Sequence, residues 1–170
     1  MRRCLANCSS ATSRSAPSSS GGGTPLLADG APCTLSTACA NGFCVDGVCC
    51  AAACDQLCRS CAAADTGGTD GACSFVSAAT DPGMECLGTS ACDGLGACKL
   101  VLGEACPGDG SVCLSGICQD DVCCDAACAG LCESCALSGS AGTCTLVPAG
   151  QDPDNECSGA NDCDGAGMCG

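Results

Sequence analysis

A pattern of twelve cysteines that occurs twice constrains this chain more than any other feature. The first copy consists of Cys33, Cys39, Cys44, Cys49, Cys50, Cys54, Cys58, Cys61, Cys73, Cys86, Cys92 and Cys98. The second copy consists of Cys106, Cys113, Cys118, Cys123, Cys124, Cys128, Cys132, Cys135, Cys144, Cys157, Cys163 and Cys169. Only two intervals differ in length, 33–39 against 106–113 and 61–73 against 135–144. A duplication whose length changes are confined to two loops predicts that each copy is one structural unit.

The rest of the composition is too poor in large apolar side chains for a conventional hydrophobic core. The 170 residues include 26 cysteines, no Trp, Tyr or His, and two phenylalanines, Phe43 and Phe75. Ordering a chain costs about 1.5 kcal/mol of conformational entropy per residue, which the burial of so few large side chains does not offset. Cysteine at this density is typical of a disulfide scaffold.

Disulfides, metal ligation and redox chemistry are three alternatives for these cysteines. The CxxC pairs Cys58/Cys61 and Cys132/Cys135 have zinc-ligand spacing. Disulfides are favoured because each copy has an even number of cysteines, because histidine is absent, and because metal–thiolate clusters would add charge to a chain already at −14. We therefore predict disulfides for all 24 repeat cysteines, no metal and no cofactor, in an oxidising compartment: secreted, periplasmic or cell-surface.

The charge is distributed unevenly along the chain. Three of the five basic residues, Arg2, Arg3 and Arg14, precede the repeats, which contain only Arg59 and Lys99. All 19 acidic residues lie within the repeats or just before them. This balance argues against nucleic acid as a partner, because phosphate contacts require Lys and Arg. We interpret the acidic surface as a means of keeping a module with little core in solution.

Three regions follow from composition: residues 1–25 as a disordered leader and Ser/Gly linker, 26–99 as cysteine-rich module 1, and 100–170 as cysteine-rich module 2. The start of the chain lacks the apolar stretch of a signal peptide, and no segment is long and apolar enough to span a membrane. Residues 5–8 resemble a bacterial lipobox, which makes Cys8 a candidate for lipidation and anchoring. Alternatively, Cys4 and Cys8 are the end of a preceding element. We expect the segment to belong to a longer array.

Local patterns predict a small disulfide-rich fold with little regular secondary structure. Asp46-Gly47 between two valines predicts a two-residue hairpin turn, and the second copy has Asp120-Asp121 at the same place. Adjacent cysteines are too close to bond to each other, so the double cysteines should reach different partners. The cysteines of residues 50–61 recur at helical spacing among alanines, which predicts one short helix there in each copy. The Asp/Gly stretches 93–96 and 164–167 should form turns.

Residues 42–50, 124–135 and 142–144 together resemble a recurrent cysteine-rich repeat of large secreted or surface proteins of myxobacterial type. The resemblance covers about residues 30–169 and implies an extracellular repeat segment. The double-cysteine core is also similar to the N-terminal cysteine-rich domain of Dickkopf proteins, and the CxxC segment to furin-like receptor repeats. These two likenesses imply a small disulfide-bonded architecture and no particular activity.

Catalysis is the function that the composition favours least. The chain has no histidine to act as a general base and nothing apolar enough to raise a carboxyl pKa. Calcium is a weaker alternative to solvated acidic residues in turns; it is considered because oxygen ligands concentrate near the end of the chain. The candidate calcium ligands are Asp152, Asp154, Glu156, Asp162 and Asp164.

Two non-enzymatic functions therefore compete. One is a structural or adhesive array that acts as a rigid spacer or binds an unidentified protein or cell-surface ligand. The other is a secreted knotted inhibitor or toxin-like effector. Effectors usually present aromatic or basic anchors, and the repeats hold few of either, so the array is preferred. The binding face is expected on the length-variable loops 61–73 and 135–144.

Overall fold

The computed structural model describes residues 25–170, and these form short antiparallel strand pairs joined by turns. Module 1 contains β1 (Cys44–Val45), β2 (Val48–Cys49), β3 (Arg59–Ser60), α1 (Ala63–Thr66), β4 (Ser74–Phe75), β5 (Ser90–Cys92) and β6 (Cys98–Leu100). Module 2 contains β7 (Cys118–Gln119), β8 (Val122–Cys123), β9 (Glu133–Ser134) and β10 (Thr145–Leu146). One-turn 3-10 helices lie at Ser36–Ala38 and Gly110–Val112. The predicted fold class, small and disulfide-rich, is confirmed.

The hairpin that opens each module is built on its aspartate-containing turn. In module 1, Cys44 lies opposite Cys49 and the two valines face each other, so the predicted two-residue turn is present. Asp46 and Gly47 have φ of 52° and 79°, the left-handed values that a two-residue turn of this kind requires. In module 2, Asp120 and Asp121 adopt the same conformation and β7 pairs with β8.

The disulfides connect the cysteines of both modules in the same order. Numbering the twelve cysteines of a module along the chain, the pairs are first–third, second–fourth, fifth–eighth, sixth–ninth, seventh–eleventh and tenth–twelfth. Module 1 has Cys33–Cys44, Cys39–Cys49, Cys50–Cys61, Cys54–Cys73, Cys58–Cys92 and Cys86–Cys98. Module 2 has Cys106–Cys118, Cys113–Cys123, Cys124–Cys135, Cys128–Cys144, Cys132–Cys163 and Cys157–Cys169. Adjacent cysteines therefore bond to different partners, as their spacing predicts.

The helix predicted over residues 50–61 was wrong in both modules. The Cys50–Cys61 disulfide brings the Cα atoms of those residues to 5.8 Å, whereas eleven residues of helix would hold them about 16 Å apart. Cys58 also has φ of 55°, outside the right-handed helical region. Cys50 and Cys61 bond to each other, whereas Cys54 and Cys58 bond to Cys73 and Cys92, so the regular spacing of these cysteines does not reflect a helix. The one α-helix among residues 25–170 is α1, a single turn that follows the cysteines of residues 50–61.

Each module consists of two disulfide-closed units that meet between its adjacent cysteines. In module 1 two bridges close residues 33–49 and four close residues 50–98. Glycines permit the close backbone contact between the units, because a Cβ on Gly71 would overlap the backbone nitrogen of Gly30. Gly142 and Gly103 make the same contact in module 2. A close backbone approach at a left-handed residue explains why glycine occupies these positions in both copies.

The two modules are joined by a shared strand end at Leu100. This residue pairs with Ser90 in the last strand pair of module 1 and also forms a parallel bridge with Cys113 of module 2. Leu27 forms the corresponding bridge with Cys39 at the start of module 1. Leu100 therefore belongs to both modules, although the composition places the boundary between residues 99 and 100.

Sulfur takes the place of aliphatic side chains in the interior. The buried clusters are Cys58, Val76, Cys86 and Cys92; Cys132, Val147, Cys157 and Cys163; and Cys106, Cys113 and Cys123. Leu100 packs against the last of these from module 1. Among residues 25–170 every buried side-chain nitrogen and oxygen has a hydrogen-bond partner, so the small interior contains no unsatisfied polar side chain.

The duplication supplies a direct test of backbone strain. Ala79 has φ of 66°, and the corresponding residue of module 2 is Gly150, with φ of 77°. The left-handed conformation disfavours an alanine by about 1 kcal/mol. We expect A79G to raise the free energy of unfolding of module 1 by about this amount, measured by urea titration of its amide NMR signals. G150A, the reverse change, should lower that of module 2. A destabilising A79G would contradict the assignment of strain at this position.

Candidate functional site

The carboxylates considered as calcium ligands bind the protein's own backbone at several positions. Asp152 accepts hydrogen bonds from the N–H groups of Glu156 and Cys157, at 2.8 and 3.1 Å. Glu156 in turn accepts the N–H of Cys132 at 2.6 Å, which ties the 152–157 turn to the middle of the module. A carboxylate that accepts an N–H bond satisfies a donor that would otherwise lack a partner. The geometry accounts for both residues as structural groups.

Module 1 repeats these contacts with its own acids. Asp81 accepts the N–H groups of Glu85 and Cys86, at 2.9 and 3.0 Å. Glu85 accepts the N–H of Cys58 at 2.6 Å. The acids that both copies retain at these positions are therefore those that hold one turn against the centre of the module.

The third repeated acid lies in the closing turn of each module. In module 1, Asp93 accepts hydrogen bonds from Ala97 and Leu95, at 3.0 and 2.8 Å. In module 2, Asp164 accepts the N–H groups of Ala166 and Met168, at 2.7 and 3.0 Å. These backbone donors hold the pKa of both carboxyls below the ordinary value of 3.8, because they stabilise the charged form.

The remaining two calcium candidates differ from this set. Asp154 and Asp162 are exposed, and module 1 has Gly83 and Ala91 at the matching positions. They therefore belong to the surface charge of module 2 rather than to the repeated framework. Sequence spacing alone did not separate the two kinds of acid, but the comparison of the two copies does.

The CxxC cysteines of module 1 enter two different bridges. Cys58 is bonded to Cys92 and Cys61 to Cys50, and both CxxC side chains are fully buried. The corresponding cysteines of module 2 have the same arrangement. An exchangeable CxxC disulfide requires a bond between its own two cysteines and access for an attacking thiolate, so this arrangement is structural. The candidate lipidation site Cys8, together with Cys4, lies outside the described residues.

The length-variable loop of module 1 carries a structure that its counterpart lacks. In loop 61–73, α1 begins where the Ala63 N–H donates to Asp70 at 2.7 Å, and it is capped after Thr66 by Gly67, which has φ of 70°. In module 2, loop 135–144 contains turns and no helix. The helix borders an open hollow of about 390 Å³, lined by Ala64, Asp65, Ser77, Thr80, Asp81 and Pro82.

A stacked pair that the sequence analysis missed lies on the β3–β4 ladder. Arg59 lies over the ring of Phe75 at 4.1 Å and is directly opposite it in the strand register. Module 2 has Glu133 opposite Leu146. The contact depends on the pairing of two strands that the sequence did not predict, so only the structure reveals it. It also occupies one of the two basic side chains of the repeats and one of the two aromatic rings of the chain.

Comparison with known proteins gives no family model, no curated protein and no solved structure that matches this chain. Within residues 25–170, no helix reaches the length and apolar character needed to cross a bilayer. The twelve disulfides fit an oxidising, extracellular environment.

The lowered carboxyl pKa values predict an acid-sensitive closing turn. A group whose pKa is lower in the folded state contributes stability above its ordinary pKa, and this contribution is lost as the pH falls through the lowered value. We expect the amide NMR signals of Leu95 and Ala97 to titrate with a midpoint below 3.8 as Asp93 gains its proton. D93N should remove this titration. A midpoint at or above 3.8 would show that the turn does not stabilise the carboxylate.

Proposed function

We propose that the protein is a non-enzymatic, extracellular cysteine-rich repeat segment of a surface or secreted protein, which acts as a rigid spacer and presents loops for protein binding. The observation that carries this proposal is the shared strand end at Leu100, which pairs within module 1 and with module 2. A flexible linker at this point would leave the modules independent, whereas the bridge to Cys113 and the packing of Leu100 against the buried cysteines of module 2 restrict their relative movement.

The disulfide framework supports the same function. Two bridges in one unit and four in the next leave few long segments of module 1 unconstrained. Each bridge in isolation contributes about 2–4 kcal/mol by restricting the unfolded chain. Such covalent stability suits a spacer outside the cell, because its small hydrophobic core contributes little to the stability of the fold. The resemblance to repeats of myxobacterial surface proteins points in the same direction.

The alternative, a secreted inhibitor or toxin-like effector, is less well supported. Such proteins concentrate binding energy in a few aromatic or arginine anchors. The described residues contain one arginine and two phenylalanines, and Arg59 and Phe75 are stacked on each other. Phe43 is 37% exposed and is the one phenylalanine of these residues outside that stack. We therefore place recognition on the variable loops, led by loop 61–73 with its helix and adjoining hollow.

The spacer function predicts one alignment for both modules in solution. In a weakly aligning medium, the amide residual dipolar couplings of residues 26–99 and 100–170 should fit a single alignment tensor. A control variant with a Gly-Ser insertion between Val101 and Leu102 should give two different tensors, because it separates Leu100 from module 2. Two tensors in the unmodified chain would contradict the rigid junction.

A further inference from the structure

The two copies act as internal controls for each other, and one exposed loop differs between them in a way the fold does not require. In module 1, loop 82–88 exposes Met84 and Leu87 to solvent by 86% and 89% of their surface. Module 2 has the polar Asn155 and Ser158 at the matching, exposed positions. The same turn therefore forms without apolar side chains.

Met84 is also unfavourable for the backbone at its position. Its φ is 52°, and that of Asn155 in module 2 is 53°. Asparagine is enriched several-fold in this left-handed region, whereas an unbranched apolar side chain gains nothing there. Module 2 thus carries the residue that suits the conformation, and module 1 carries one that is both strained and hydrated. Neither local structure nor core packing explains Met84.

Hydrogen bonds and a disulfide constrain the backbone of this loop. Asp81 binds the N–H groups that follow Met84, and Glu85 between the two apolar residues binds the N–H of Cys58. Cys86 is bonded to Cys98. An apolar contact presented on a pre-ordered loop binds a partner with little loss of conformational entropy. The loop also adjoins the hollow beside α1, because Pro82 at the start of the loop lines that hollow.

The charge around the loop determines the kind of partner. Asp65 and Asp81 line the hollow and Glu85 lies between Met84 and Leu87. A second copy of this chain would bring like charges together, and so would a membrane of anionic lipid. A protein surface with an apolar pocket rimmed by Lys and Arg is complementary to both the apolar and the acidic groups.

Building on the protein-binding function proposed above, we propose that Met84 and Leu87 of loop 82–88 form an apolar anchor for a partner protein that has a basic-rimmed apolar pocket. This anchor extends the binding surface proposed for loop 61–73, since both loops border the same hollow. The corresponding face of module 2 lacks the anchor and serves the spacer role alone.

The test selects random dodecapeptides by phage display against the oxidised full-length chain. Synthetic copies of the selected peptides are then measured by fluorescence anisotropy at low and high NaCl. We expect an apolar residue flanked by Lys or Arg, with binding weakened by salt. M84N/L87S, which installs the module 2 residues, should weaken binding about tenfold or more. The control L95A/M168A, which alters exposed apolar residues elsewhere, should leave the affinity nearly unchanged.

Stability measurements separate binding from folding. The urea midpoint of module 1 in M84N/L87S should equal or exceed that of the unmodified chain, because asparagine suits the conformation of residue 84. A loss of binding caused by unfolding would instead appear as a lower midpoint, and that outcome would overturn the proposal.

Three further outcomes would also overturn it. In the first, the selected peptides bind M84N/L87S normally but lose affinity when residues 135–144 replace loop 61–73. Protein binding by loop 61–73 would then stand, and the anchor formed by Met84 and Leu87 would not. Concentration-dependent self-association, or binding to phosphatidylglycerol vesicles, that M84N/L87S abolishes would make a second copy or a lipid surface the occupant. A selection that enriches no peptide would count against both the anchor and the protein-binding function.

Discussion

Covalent cross-linking is the constraint on which the rest of this structure depends. Strands of two or three residues cannot persist by themselves, because an isolated hairpin is marginal in water even when it is longer. Here each strand pair begins, ends or lies next to a bridged cysteine, so the disulfides hold the strands in register. Cysteines also make up most of the buried residues. The cross-links therefore form most of the interior.

Features encoded by adjacent residues could be predicted from the sequence, and features that depend on pairing across the chain could not. Asp46-Gly47 specifies its turn locally, and the distance between adjacent Cα atoms alone predicts that Cys49 and Cys50 bond elsewhere. The helix over 50–61 failed because periodicity does not reveal that the eighth cysteine closes back on the fifth. The Arg59–Phe75 stack could not be predicted for the same reason, since its residues meet only through the pairing of β3 with β4.

The candidate binding site shows the same division. Loop 61–73 could be identified from its length difference, but the hollow beside α1 forms only when that loop meets residues 77–82. The acidic residues near the end of the chain are weak calcium candidates by sequence, and only the structure shows that Asp152 and Glu156 bind backbone N–H groups. Repeated acids with backbone partners belong to the framework that both copies share, whereas the proposed recognition rests on exposed positions at which the copies differ.

The most direct test of this account is disulfide mapping by partial reduction, alkylation and mass spectrometry, on protein prepared in an oxidising compartment. The account predicts twelve bridges with the same connectivity in both modules. Module 1 should contain Cys50–Cys61 and Cys58–Cys92, and module 2 should contain the corresponding bridges Cys124–Cys135 and Cys132–Cys163. Free thiols within the repeats, stoichiometric zinc in the unreduced sample, or different connectivities in the two modules would contradict it.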